Sequence, residues 1–394
     1  MPMFGIKNWR YQPTAHRRDL RLDLLRGYLI FVMTVNHLLM APSWAFRLTG
    51  LNAMWVTAAE GFVLVSGIVF GMLYRQRSQD KGWEWTWQKV GKRALQLYLV
   101  TVVWQLFFGT LDFIQRDLWG RESSLPESYL DFVQNAIFQV RSLLLGVDLL
   151  PMYVVLLPWG ALVIYLLSKG KWPWVLAASV LFWHLRRLDP EAFTFFHVYF
   201  NPALWQILFT VGILAGYYRN ELHAARARLV NKHPVLESGF SWLLALSALA
   251  ILLVGYQVAF RGLWADIWWL DPRGDFFSKN TLAPGRVVAS IWVVAGLYEL
   301  VSIFWKPLHR LVGWALLPAG QNSLTAYVVQ ASLVYLVASL PGYPFPGHGR
   351  PGLMTMIHFG CFLFVVLLTK IIAAWNVRKH ARLRPVAGDH NRRF

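Results

Sequence analysis

Long apolar runs, each about one bilayer thick, alternate along this chain with short basic stretches and longer aromatic-rich polar ones. Ten such runs stand out, at 22–41, 56–74, 94–114, 148–168, 172–186, 202–218, 239–260, 286–304, 318–339 and 353–374. A helix rises about 1.5 Å per residue, so roughly 20 residues cross a hydrocarbon core of about 30 Å. Barrel strands would instead show alternating segments of about ten residues. The pattern predicts an all-α, polytopic integral membrane bundle of about ten transmembrane helices, with one domain filling residues 1–394. The run at 172–186 is the weakest, being short and holding Pro173 and His184.

Composition agrees with that class. The chain is 56% hydrophobic and 15% charged, with mean hydropathy +0.41, whereas soluble domains carry about 25% charge. Its 21 Trp and 15 Tyr suit membrane–water interfaces. A net charge of +18 on a soluble protein would point to nucleic acid. Here it follows topology instead, and no nucleic-acid partner is expected. When Lys and Arg near a span's ends are counted with the adjoining loop, alternate segments hold 26 and 11 of them. The richer side is cytoplasmic by the positive-inside rule. Both termini then face inward, with 1–21 a cytoplasmic segment and 375–394 a basic cytoplasmic tail. Deleting the run at 172–186 alone would turn that tail outward. The first run carries ionisable groups over about 18 residues, which predicts an uncleaved span rather than a signal peptide. The one cysteine, Cys361, lies in an apolar run and reads as a small buried hydrophobe. It excludes an intrachain disulfide and a cysteine-based metal cluster, and no metal is expected.

Chemistry concentrates in the first run, RDLRLDLLRGYLIFVMTVNHLLMA (18–41), which carries Asp23, Arg26, Asn36 and His37. Eleven residues of helix place Arg26 and His37 within about 20° on one face and about 16 Å apart. Asp23 is spaced to pair with Arg26. Such a stripe faces a bundle interior or a wet cavity, because lipid cannot satisfy it. Glu60 opens the second run at about the depth of His37, where a carboxylate would orient an imidazole and raise its basicity. Gly61, Ser66, Gly67 and Gly71 permit close approach of a helix or a ligand. On the basic side, Arg75, Arg77, Lys81, Lys89, Lys92 and Arg93 suit the phosphates of a nucleotide-bearing donor, or plain topology signalling. The longer segments 115–147 and 261–285 read as binding loops or as lids on the membrane surface. His184 and His358 also lie near outer helix ends, so His37 alone leaves packing, proton relay and catalysis open.

Several blocks taken in order resemble the OpgC family, a branch of the membrane acyltransferase superfamily whose members succinylate osmoregulated periplasmic glucans. They are RDLRLDLLRGYLIFVMTVNH, AEGFVLVSGIVFG, VDLLPMYVVLLP (147–158), NPALWQILFTVG (201–212), SKNTLAPGRVV (278–288) and GQNSLTAYVVQ (320–330). The resemblance implies a bundle with a central channel in the bacterial inner membrane and an active site toward the periplasm. Cytoplasmic succinyl-CoA would be the acyl donor, a co-substrate rather than a resident cofactor. A periplasmic glucan would be the acceptor, and the lipid bilayer the surroundings; a homo-oligomer is compatible with the pattern. His37 would be the general base and Glu60 its orienting carboxylate. Direct attack fits better than a covalent enzyme, since Cys361 lies far along the chain. Arg26, Ser66, Arg75, Arg77, Lys92 and Arg93 would serve the donor. Arg26 would balance a carboxylate or phosphate, or else be locked to Asp23. Asn36, Asp148, Tyr153, Trp205, Gln206, Asn280 and Arg286 would serve the acceptor side, Arg286 taking the succinyl carboxylate. Trp205 suits stacking on a sugar or anchoring at the interface, and Asn322 and Gln330 suit interhelical hydrogen bonds. An acetyltransferase acting on another envelope polysaccharide is the alternative. A secondary transporter would need inverted repeats and paired broken helices.

Overall fold

The computed structural model of the chain describes residues 9–12, 18–119, 125–138, 147–189, 193, 200–232, 234–261, 270–271, 274–340, 343 and 350–382. Among these residues the regular structure is entirely helical. In chain order the helices are α1 (Leu20–Leu38), α2 (Phe46–Thr49), α3 (Ala58–Trp119), α4 (Tyr129–Phe138), α5 (Leu149–Ser168), α6 (Trp172–Leu188) and α7 (Pro202–Tyr217). They continue with α8 (Arg219–Lys232), α9 (Pro234–Arg261), α10 (Pro284–Ile303), α11 (Trp305–Leu311), α12 (Gly313–Gln321), α13 (Ser323–Ala338) and α14 (Pro351–Arg382). Parts of the two long segments expected to bind or cover, including Glu122, and the end of the basic tail lie outside the described residues.

Five of these helices, α3, α5, α9, α10 and α14, are long and apolar enough to cross a membrane. Helix α1 has 19 residues but contains Arg21, Asp23 and Arg26, and α7 and α13 are apolar but shorter. A helix satisfies its own backbone hydrogen bonds, which is why a bundle suits lipid. Burial sorts the helices. About 22% of the apolar window of α9 and 28% of that of α14 is buried, against 61% for α5. The outward Leu243, Leu246 and Leu253 of α9 and Leu363, Phe364 and Leu367 of α14 form the rim. Helix α1 lies inside, against α3, α10, α12, α13 and α14.

The helical backbone breaks at two places that bear on the expected runs. The runs at 56–74 and 94–114 fall on two helical stretches of α3 that meet at Gly82, where φ is +81° and ψ 174° and the backbone is not helical. That backbone is open to glycine and strained for other residues. The run at 318–339 is split into α12 and α13 at Asn322, where φ is −115° and ψ 43°. Pro318 lies inside α12 and brings no backbone N–H to its ladder. The Asn322 side chain donates to the Pro318 carbonyl at 3.1 Å, within its own turn rather than across helices.

The small residues of α3 serve packing. Gly67 and Gly71 abut the Phe209 and Ile213 carbonyls of α7, and Gly212 and Gly216 abut those of Leu64 and Ile68. A Cβ at any of the four would strike backbone, so glycine sets how closely the helices approach.

A buried knot closes the end where α1 begins. Asp19 caps α1 by accepting from the Arg21 backbone N–H. The same carboxylate accepts from the Arg21 guanidinium at 2.8 Å, Arg219 at 2.7 Å and the Tyr298 hydroxyl at 2.8 Å. The Arg21 guanidinium lies 4.3 Å from the ring centres of both Tyr11 and Tyr298. Burial opposes the charged carboxylate, but the contacts with Arg21, Tyr298 and Arg219 outweigh it and hold Asp19 below the usual range.

Candidate active site

A cavity of about 500 Å³ lies between α1, α3, α5, α7 and α13. Arg26, Arg77, Lys89, Lys92 and Arg93 line it, and no carboxylate does so among the described residues. A cavity with five cations and no counter-charge is built to take an anion. Arg26 donates through Nη2 to the hydroxyl of the buried Ser323, at the α12–α13 break. Its Nε is buried without a partner among the described residues. The expected Asp23–Arg26 pair gives way to another, because Arg18 holds both oxygens of Asp23 at 2.6 and 2.8 Å. Arg75 also departs from its expected place. It turns from the cavity to the Tyr217 carbonyl and to Glu221, whose oxygens lie at 2.7 and 2.5 Å.

Aromatic rings wall the other part of the cavity. Tyr153, expected on the acceptor side, lines this cavity beside Ser66 and donates to the Phe62 carbonyl at 3.4 Å. The Phe62 ring centre lies 6.4 Å from those of Tyr153 and Tyr327. Tyr327 precedes Gln330 by about one turn of α13, and Gln330 Nε2 lies 3.2 Å from His37 Nδ1. The three rings thus stand between the cationic cavity and the histidine level.

At that level Glu60 is fully enclosed, with 0% exposure. Its Oε1 accepts from Arg286 at 2.9 Å, and its Oε2 accepts from the Thr57 N–H at 2.9 Å and the Thr57 hydroxyl at 2.5 Å. The expected contact with His37 is replaced for a local reason. Thr57-x-x-Glu60 has the spacing of a capping box, in which the glutamate returns to the N-cap N–H and is held at the helix start. Arg286, 2% exposed, is committed as fully, donating to Glu60, to the Phe277 carbonyl at 2.8 Å and to the Met54 carbonyl at 3.1 Å. Three of its five N–H donors are thereby committed, and its charge is paired with Glu60. Asn36 donates to the Thr49 carbonyl at 3.2 Å and to Asn52 Oδ1 at 3.3 Å, pinning the loop after α1.

A second cavity, of about 370 Å³, opens beside this pair and is lined by Asn52, Ser278, Lys279, Asn280 and Arg286. Lys279 was not among the expected residues. Its turn is fixed by hydrogen bonds from Ala283 to Ser278 and from Leu282 to Lys279. Trp183 donates to the Leu282 carbonyl at 2.9 Å, and Trp55 stacks on Phe277 at 4.6 Å. Lys279 is close enough to act electrostatically on His37, Glu60, Arg286 and Asp148. Burial pushes its ammonium below the ordinary lysine range, with Glu60 pulling it part of the way back.

Trp205 and Gln206 stand apart. Gln206 donates to the Ser179 carbonyl at 2.7 Å, joining α6 and α7, and the Trp205 ring packs on Phe200 at 4.8 Å in the core. Neither lines the two cavities. Among the described residues, no group of three or more His, Cys, Asp or Glu is placed to hold a metal ion.

Long apolar helices around a cavity lined by cations are the features of a multi-pass membrane protein with a cationic cavity inside its bundle. The chain belongs to the family described as OpgC protein, whose model matches residues 18–379. Membership implies an acyltransferase-type function on glucans. No curated protein and no solved structure gave a significant match.

Proposed function

We propose that this protein moves a succinyl group from cytoplasmic succinyl-CoA to hydroxyls of periplasmic glucans in the bacterial inner membrane. The observation that carries this reading is the cationic, carboxylate-free cavity ending at the rings below His37. In this reading about ten segments span the bilayer. The end bearing Asp19 is cytoplasmic, and the end bearing His37 and Lys279 faces the periplasm. Arg77, Lys89, Lys92 and Arg93 would hold the donor's phosphates. Arg26 and Ser66 would line the path of the pantetheine arm, which brings the thioester past Phe62, Tyr153 and Tyr327.

His37 then takes the proton of the sugar hydroxyl as its oxygen bonds to the thioester carbonyl carbon. The tetrahedral intermediate collapses, the carbon–sulfur bond breaks, and the imidazolium returns the proton to the thiolate. The products are the sugar ester and free coenzyme A. Oxygen and nitrogen of a side-chain amide exchange places without changing its outline. With its oxygen toward Nδ1–H, Gln330 would hold the tautomer whose Nε2 is free to accept the proton. Glu60 would act at one remove, through Arg286, as a positioning residue. Asp148 and Asn280 would meet the acceptor near the second cavity.

Mass spectrometry of periplasmic glucans from a strain lacking the protein tests this reading. Wild type should restore a succinyl increment, and His37→Ala should lower it by about 10²–10⁴-fold while still reaching the membrane. Full succinylation by the variant would remove His37 from the mechanism. An acetyl increment instead would favour the acetyltransferase alternative.

A further inference from the structure

We propose that Lys279 receives the free carboxylate of a dicarboxylic acyl group and thereby makes the protein choose succinyl over acetyl. The inference rests on the acyl-transfer reading above. The residue expected for this role, Arg286, already has its charge paired with Glu60 and its fork held by the Phe277 and Met54 carbonyls. Lys279 lines the same cavity, yet its ammonium has no hydrogen bond or ion pair among the described residues. Its neighbours at short range are an aromatic face, the Phe200 ring with its centre 5.7 Å away, and the neutral polar side chains of Ser278, Asn280 and Asn52. A half-buried ammonium on a cavity wall, with no contacting carboxylate among the described residues, is placed to take one from a ligand.

The position suits the chain length of the acyl group. Lys279 is close enough to bear on the charge of His37, which puts the two side chains in the same region of the bundle. In an extended succinyl group the distal carboxylate carbon lies about 4 Å from the reacting carbonyl carbon. A thioester presented to His37 would therefore hold its carboxylate out on the far side of the reacting carbon, toward the second cavity. Acetyl has nothing to place there and leaves the ammonium as it was. Selectivity then comes from a charge that only the dicarboxylic donor satisfies. The rest of the transfer is unchanged: the sugar oxygen–carbon bond forms, the carbon–sulfur bond breaks, and the proton passes through His37 to the departing thiolate.

Purified full-length protein in nanodiscs would be given a neutral β-glucan oligosaccharide with succinyl-CoA or acetyl-CoA, the ester products being quantified by mass spectrometry. Wild type should prefer succinyl. Lys279→Met should lower succinyl transfer by about 100-fold while leaving acetyl transfer within a few-fold, which also shows that the variant is folded. Lys279→Arg should keep most of the preference. In wild type the succinyl-to-acetyl rate ratio should fall as pH rises, at lower pH than for an ordinary lysine near about 10.4, because the cation is the reading group and burial favours its neutral form. Dividing the two rates removes the titration of groups common to both reactions. An equal loss of both activities in Lys279→Met, or an unchanged ratio, overturns the lysine assignment and leaves acyl transfer standing. If wild type transfers neither acyl group, the acyl-transfer reading fails and this inference fails with it.

Discussion

Arg26 and Arg286 are both guanidinium groups inside the same bundle, and they are held in opposite ways. Arg286 is closed, with each side of its fork ending on a protein oxygen and Glu60 supplying the counter-charge. Arg26 is open, with a hydrogen bond to Ser323, the Phe62 ring beside it, an Nε without a partner among the described residues, and a cavity of further cations around it. An intramembrane arginine can thus be an internal fastening or a prepared ligand site. Its position relative to lipid does not decide which; its remaining hydrogen-bond capacity does.

The largest effect should follow from opening the closed site. Arg286→Ala leaves the Glu60 carboxylate buried without its cation and should destabilise the protein by about 3–5 kcal/mol. Thermal unfolding in detergent would register this as a large drop in midpoint. Arg286→Lys should rescue only in part, since an ammonium lacks the planar fork that reaches three acceptors. An unchanged midpoint would mean that the two arginines are not distinct. The converse change, Arg26→Met, should leave the unfolding midpoint near wild type and lower kcat/KM for the acyl donor by about 10–100-fold, the worth of a charged hydrogen bond. A folding defect as large as that of Arg286→Ala would break the contrast. The smallest effect is expected at Arg75, whose partner Glu221 is 50% exposed. Arg75→Gln should change stability by less than about 1 kcal/mol and leave donor KM unaltered, whereas Arg93→Gln should raise that KM several-fold. Equal KM changes would return Arg75 to the donor cavity.

Much of this was legible from pattern, and the remainder depended on distant contacts. The apolar runs follow from length and hydropathy. The shared face of Arg26 and His37 follows from the helical period. Their breaks do not, because hydropathy reports whether a segment suits lipid and not where its backbone turns. Residues 75–93 are helical on both sides of Gly82, and only that glycine marks where the backbone leaves the helix. Asp23 had cations at spacings of three and five residues, Arg26 and Arg18, and sequence distance did not rank them. The Thr57-x-x-Glu60 spacing carries a local signal for the true partner of Glu60. The placement of Lys279 carries no comparable signal, since its turn is set by Trp183 and Trp55 from elsewhere in the chain.

The Asp19 knot also has a consequence for the order in which the molecule is made. Arg219 and Tyr298, which complete it, follow Asp19 by 200 and 279 residues. At about 5–20 residues per second, a ribosome reaches Tyr298 roughly 15–55 s after Asp19. Until Arg219 is made the first helix has Arg21 beside its cap and neither distant partner, and until Tyr298 is made it still lacks one. Helix α1, made well before Arg219 and Tyr298, is therefore among the last to be fastened.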